Sequence, residues 1–80
     1  MEYLLGGIAL FPYGFVPMYW MACEGQTLQV SQNQALFSII GNTYGGNGST
    51  TFALPDLRNA SPLTGMRYCI ATSGIYPQRS

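Results

Sequence analysis

Hydrophobic and polar positions divide this chain into short apolar runs separated by glycine, proline and asparagine clusters, with one stretch of helical period between them. Residues 3–10 (YLLGGIAL) read as a strand in which Gly6-Gly7 permits a bulge or a close backbone approach. Residues 11–17 (FPYGFVP) form a loop stiffened by two prolines and heavy in aromatics. Residues 19–23 predict a second short strand, Glu24-Gly25 a turn, and residues 27–30 a strand that pairs back on the second as a hairpin. Residues 50–54 and, more strongly, 67–72 (RYCIAT) supply further strands, the latter rich in β-branched and aromatic side chains. Residues 73–80 have no period and predict an extended tail whose Ile75 and Tyr76 need burial. The organisation expected is a domain over 1–73 and a tail over 74–80.

The helical stretch starts at Ser31-Gln32-Asn33-Gln34, whose spacing predicts a capping box: the Ser31 hydroxyl accepts from the Gln34 N–H and Gln34 reaches back. Val30 and Ala35 take the staple positions, Leu36, Ile39 and Ile40 form one apolar stripe, and Gly41 caps the C-terminus. Such a rod is too short to stand alone, so the stripe must pack on the strands. Phe37 projects to its side. Residues 41–50 hold four glycines and no lysine, and they leave a helix rather than enter one. A phosphate cradle needs the reverse arrangement, so this is a connecting loop. The fold class expected is α+β: one small single domain, antiparallel β-strands packed around one short helix, with Gly/Pro-rich loops.

Composition narrows the function. Charged residues are 8% of the 80 and hydrophobic ones 48%, and three arginines balance three carboxylates with no lysine or histidine. Ordinary soluble domains carry roughly 25% charge. A small neutral domain this apolar is expected to associate with itself. Nucleic acid is excluded as a partner, because three scattered arginines make no basic patch. Without histidine, and without metal-type spacing among carboxylates and cysteines, no catalytic residue, metal or cofactor is assigned. The uncharged run 3–23 is long enough for a membrane span, but Pro12, Pro17 and three glycines break any continuous helix. It also makes a poor signal peptide, having Glu2 and no basic residue ahead of it.

Read in order, three stretches resemble the phage tail collar domain family: GGIALFPYGFVPMYWMACEGQTL, SQNQALFSIIGNTYGGNGSTTF and ALPDLRN. They carry Trp20, Cys23, Glu24-Gly25-Gln26, a short helix ending in Gly41, Tyr44-Gly45-Gly46 and Leu54-Pro55-Asp56-Leu57-Arg58. The resemblance implies an α+β module of phage tail fibres, usually homotrimeric and structural rather than catalytic. Many members continue into a long distal region containing glycine and histidine. Ending at Ser80, this chain is expected to be a short member that keeps the assembling part.

Within the last stretch, Pro55 ends a strand, the Asp56 carboxylate accepts turn N–H groups, Leu57 enters the core, and Arg58 offers a planar fork of donors. Pro55, Asp56 and Arg58 are therefore a structural corner. Cys23 and Cys69 are either buried inert thiols or a disulfide, within one chain or between copies. Eleven aromatics exceed one small core. Trp20, Phe37 and Phe52 are assigned to the interior, leaving Tyr13, Phe15, Tyr19, Tyr44 and Tyr76, with Ile75 and Arg79, as the candidate self-association surface. The preferred function is a structural subunit that assembles with its own copies, as a trimer or an open filament, in a virion, phage-like particle or extracellular appendage. The alternative is a carbohydrate- or receptor-binding module in which the same rings, with Asn42, Asn47 and Gln26, hold a surface glycan.

Overall fold

The computed structural model describes residues 3–60 and 64–77. Its elements in order are β1 (Ile8–Pro12), β2 (Trp20–Ala22), β3 (Thr27–Gln29), α1 (Gln34–Ile40), β4 (Thr51–Ala53) and β5 (Met66–Ala71), with one 3-10 turn, Val30–Gln32, before α1. A three-stranded sheet runs β1-β5-β2, and β3 and β4 form a second, two-stranded sheet. Every strand pair is antiparallel. The α+β class expected from the hydrophobic pattern is the one observed.

β5 is the centre because its two faces are both apolar. Ile8 and Met21 lie opposite Ile70, and Leu10 opposite Tyr68, so these side chains share one face of the sheet. That face meets the core, where Ile70 packs with Leu5, Cys23, Leu36, Phe52 and Leu54. Leu36 anchors α1 there at 1% exposure, and Phe37 leans on Phe52 with ring centroids 5.3 Å apart. The other face carries Ala9 and Ala22 opposite Cys69, Phe11 opposite Arg67, and Trp20 opposite Ala71. Cys69 and Ala71 are fully buried on this second face, so something covers it.

On this face lie the rings of Phe11, Trp20 and Tyr3, and the crossover, residues 13–19, joins them through Phe15. β1 and β2 both run antiparallel to β5, hence parallel to each other with β5 between them, and parallel strands need a crossover. This one leaves β1 opposite Met66 and enters β2 opposite Ala71. It therefore travels roughly 17 Å back along the sheet and roughly 10 Å across it. Phe15 packs on Phe11, and Phe11 meets Trp20 across β5, with centroids 6.4 Å and 5.0 Å apart. Tyr3 closes the cluster at 5.1 Å from Trp20. Trp20 is thus half-buried on the outer face, not in the interior as expected.

Four local expectations are corrected. The first strand begins at Ile8, because Gly6 takes φ +82 and the Gly7 N–H closes a turn onto Leu4. Phe11 and Pro12 belong to that strand instead of to the loop. β3 does not fold back on β2; it pairs with β4, with Leu28 opposite Phe52. The capping box is absent. Residues 30–32 are already coiled as a 3-10 turn, Asn33 is the N-cap of α1, and no side chain caps it. The Asn33 side chain instead donates to the Gln29 carbonyl at 3.0 Å. Gly41 does cap the other end, at φ 59, its N–H bonded to Phe37.

The glycine loop is organised by Asn47, whose Oδ1 accepts the N–H groups of Ser49, Thr50 and Thr51 at 2.8, 2.8 and 3.1 Å. Gly46 lies so close to β4 that a Cβ there would stand 2.4 Å from the Phe52 Cα. Beyond β5 the tail turns back on its own chain. Ile75 bridges Leu4 in parallel, donating to Tyr3 and accepting from Leu5, each at 2.9 Å.

Candidate self-association face

The crossover is a consequence of its sequence. Pro12 ends β1, Pro17 accepts the Trp20 N–H at 3.1 Å, and the four residues between them are too few to sustain a helix. Its last residue, Tyr19, sits at φ 71, the single non-glycine residue with positive φ among those described. The Tyr19 carbonyl receives both the N–H and the hydroxyl of Thr72, at 2.8 and 3.0 Å. Those two bonds hold the backbone in a conformation a bulky residue disfavours.

Held this way, the crossover turns its own apolar side chains outward. Tyr13, Phe15, Val16, Met18 and Tyr19 make up five of the ten large hydrophobic residues exposed among those described, and Met18 is 76% exposed. Three of the expected surface residues, Tyr13, Phe15 and Tyr19, are therefore brought together. Val16 and Met18 were missed, since neither is aromatic; the lack of any charge between Tyr3 and Cys23 was the available signal. Tyr44 is also exposed but stands apart in the glycine loop. Ile75 and Tyr76 form a second exposed group with Leu4, all three 52 or 53% exposed. The Tyr76 hydroxyl meets Ser38 Oγ of α1 at 2.6 Å. Arg79 lies outside the described residues.

Charge is gathered elsewhere. Asp56 takes Arg58 in a two-pronged pair at 2.9 and 2.6 Å, and also accepts the Arg58 N–H at 3.3 Å. The Arg58 hydrogen bonds lower the Asp56 pKa to about 2. Pro55 is buried, its carbonyl accepts from Gly25, and Leu57 donates to the Cys23 carbonyl, so the corner joins the β2 end to the β4 end. Asp56 also bridges Glu24 in antiparallel fashion, and Glu24 lies 3.5 Å from Arg67. Arg67 stacks over the Tyr13 ring at 5.3 Å. All four charged side chains described thus occupy one corner, beside the start of the crossover. Cys23 and Cys69 are free thiols, both buried, and the register places Ala22 rather than Cys23 opposite Cys69. No disulfide joins them. Burial, helped by the neighbouring Cys69, pushes the Cys23 pKa up to about 11, and burial raises that of Cys69 as well.

The ordered set of half-buried Trp20, helix-ending Gly41, close-packed Gly46 and the Asp56–Arg58 corner lies within one family match: the phage tail collar domain matches residues 6–62. The chain belongs to the phage tail collar domain family. Collar domains are structural parts of phage tails, and the role that follows for this one is a structural role in a tail fibre, with the virion as its place. No curated protein and no solved structure matches the chain. Among the described residues, no helix of this collar domain is long and apolar enough to cross a membrane.

Proposed function

We propose that this collar domain is a structural subunit that assembles with copies of itself into a fibre-type homo-oligomer, exposed on a virion or a phage-like or extracellular appendage. The observation that carries this reading is the uncharged crossover, with five large apolar side chains turned to solvent in seven residues. At roughly 100 Å² of exposed surface apiece these amount to about 500 Å², toward the upper end of the roughly 300–600 Å² of a typical monomer's largest apolar patch, which is often a functional one. The glycan-binding alternative is the weaker one. Two of its three amides are already engaged: Gln26 donates to the Ala22 carbonyl and accepts from Glu24, and Asn47 is committed to its own loop. Sedimentation velocity of the pure chain at micromolar concentration, with negative-stain microscopy, tests the proposal. An ordered oligomer is expected; a well-folded monomer overturns it.

A further inference from the structure

Asn47-Gly48 is the single Asn-Gly pair of the chain; the other three asparagines precede Gln34, Thr43 and Ala60. Asparagine is chemically labile, and a following glycine, having no Cβ, leaves its amide nitrogen unshielded beside the side-chain carbonyl. The fold demands both residues. Asn47 organises its loop through the three N–H groups on Oδ1. Gly48 has φ +76, and a Cβ there would stand 2.7 Å from the Asn42 Nδ2. A reactive dipeptide is therefore built into an exposed loop.

We infer that Asn47 is a site of spontaneous deamidation that the folded loop holds in check, so that it reacts only when the loop opens. In this reaction the Gly48 nitrogen gives its proton to solvent and attacks the Asn47 Cγ. A nitrogen–carbon bond forms, the Cγ–Nδ2 bond breaks, and Nδ2 takes a proton from water and leaves as ammonia. Water then opens the five-membered imide at either carbonyl, giving aspartate or isoaspartate. Water is consumed, ammonia is released, and nothing is oxidised or reduced.

The folded loop opposes ring closure at several atoms. The Gly48 N–H that must lose its proton is bonded to the Thr51 carbonyl at 3.0 Å. Nδ2 donates to Thr50 Oγ1 at 2.9 Å, and the Asn47 N–H is bonded to Thr51 Oγ1 at 3.1 Å. Attack needs the two reacting atoms aligned, and turning the Gly48 nitrogen onto Cγ breaks bonds on both partners. The three donors on Oδ1 would by themselves favour attack, by stabilising charge that develops there. The check lies instead in the nucleophile and in the rotation. Opening the loop frees both at once, and surface loops open at free energies well below that of global unfolding. Aspartate keeps an oxygen for the three N–H groups. Isoaspartate lengthens the main chain by one carbon, so that the loop cannot close again in register on Thr51. The useful life of the folded domain is then set by how seldom this loop opens.

The test follows deamidation of the full-length chain by mass spectrometry with peptide mapping at pH 8, folded and in urea. In urea Asn47 should convert faster than any other asparagine, and folding should slow it by at least about tenfold. Thr50→Val, at an exposed position, removes the Nδ2 acceptor. It should speed conversion of the folded chain about fivefold, the factor for one hydrogen bond, and leave the rate in urea unchanged. Circular dichroism checks that this variant is folded. A folded chain that converts as fast as the unfolded one, or conversion led by another asparagine, overturns the inference. So does a folded Thr50→Val chain that converts at the unmodified rate.

Discussion

Gly46→Ala is expected to be far more damaging than the same change at Gly65, although both glycines have positive φ. At Gly65, φ is +81 and nothing lies within 4 Å of the added methyl. The cost there is the backbone term alone, about 1 kcal/mol. At Gly46 the methyl would stand 2.4 Å from the Phe52 Cα and 2.7 Å from the Thr51 carbonyl oxygen. Comfortable contacts are about 3.5–4.0 Å, so loop and strand must part by roughly 1 Å. Parting strains two bonds that tie the loop to β4, Gly48 N–H to Thr51 at 3.0 Å and Ala53 N–H to Gly45 at 3.1 Å. At about 1 kcal/mol each, these bring the total to about 3 kcal/mol. A domain of this length has roughly 4–12 kcal/mol to lose. Urea melts read by circular dichroism, at one protein concentration and one state of assembly, should show a midpoint shift about three times larger for Gly46→Ala than for Gly65→Ala. Equal shifts would refute the claim that close backbone approach, rather than positive φ, requires glycine in Tyr44-Gly45-Gly46.

Other outcomes follow from the hydrogen bonds and thiols. Asn47→Ala removes the acceptor of three N–H groups and should cost about 1–3 kcal/mol in the same melts, whereas Asn47→Asp, which keeps an acceptor, should cost less. The Asp56 pKa is lowered on folding, so its contribution is complete above the ordinary carboxylate value of 3.8 and is lost as pH falls through about 2. A carboxyl carbon titration by NMR should therefore have its midpoint near 2, and a midpoint near 3.8 would mean that the Arg58 pair does not persist in solution. Cys23 and Cys69 should be inert to a disulfide reagent at pH 8 and react only on unfolding, because burial raises both pKa values. Rapid labelling of the native chain would contradict their burial.

Elements were legible where local chemistry alone decides them. The Leu36–Ile39–Ile40 stripe marks the helix, Gly41 its end, and the β-branched and aromatic run the central strand. Partner choice was less legible. Residues 27–30 are too few to announce whether they pair with β2 or β4; that is settled by burying Leu28 against Phe52, a contact between distant parts of the chain. The start of α1 was misplaced because Ser31 has the right spacing for a cap, but the preceding 3-10 turn already uses the chain at that point. For the candidate face, aromatic excess pointed to Tyr13, Phe15 and Tyr19. That they share one crossover depends on β5 being inserted between β1 and β2, which no local pattern reveals.

For a collar domain that assembles through its crossover, as proposed above, the pooling of charge at the Glu24–Asp56 corner has a consequence for the speed of assembly. Partners whose meeting surfaces carry little net charge, as the crossover does with Arg67 paired to Glu24 beside Tyr13, approach with little electrostatic guidance, and such encounters proceed at about 10⁵–10⁶ M⁻¹s⁻¹ with weak dependence on salt. Growth should then respond to concentration and hardly at all to ionic strength, because there is little for counterions to screen. Dilute subunits would wait as separate folded units, and crowded ones would assemble in fresh water and in brine alike. A fibre joined through such surfaces keeps its rate of growth, as well as its grip, when the medium around it changes.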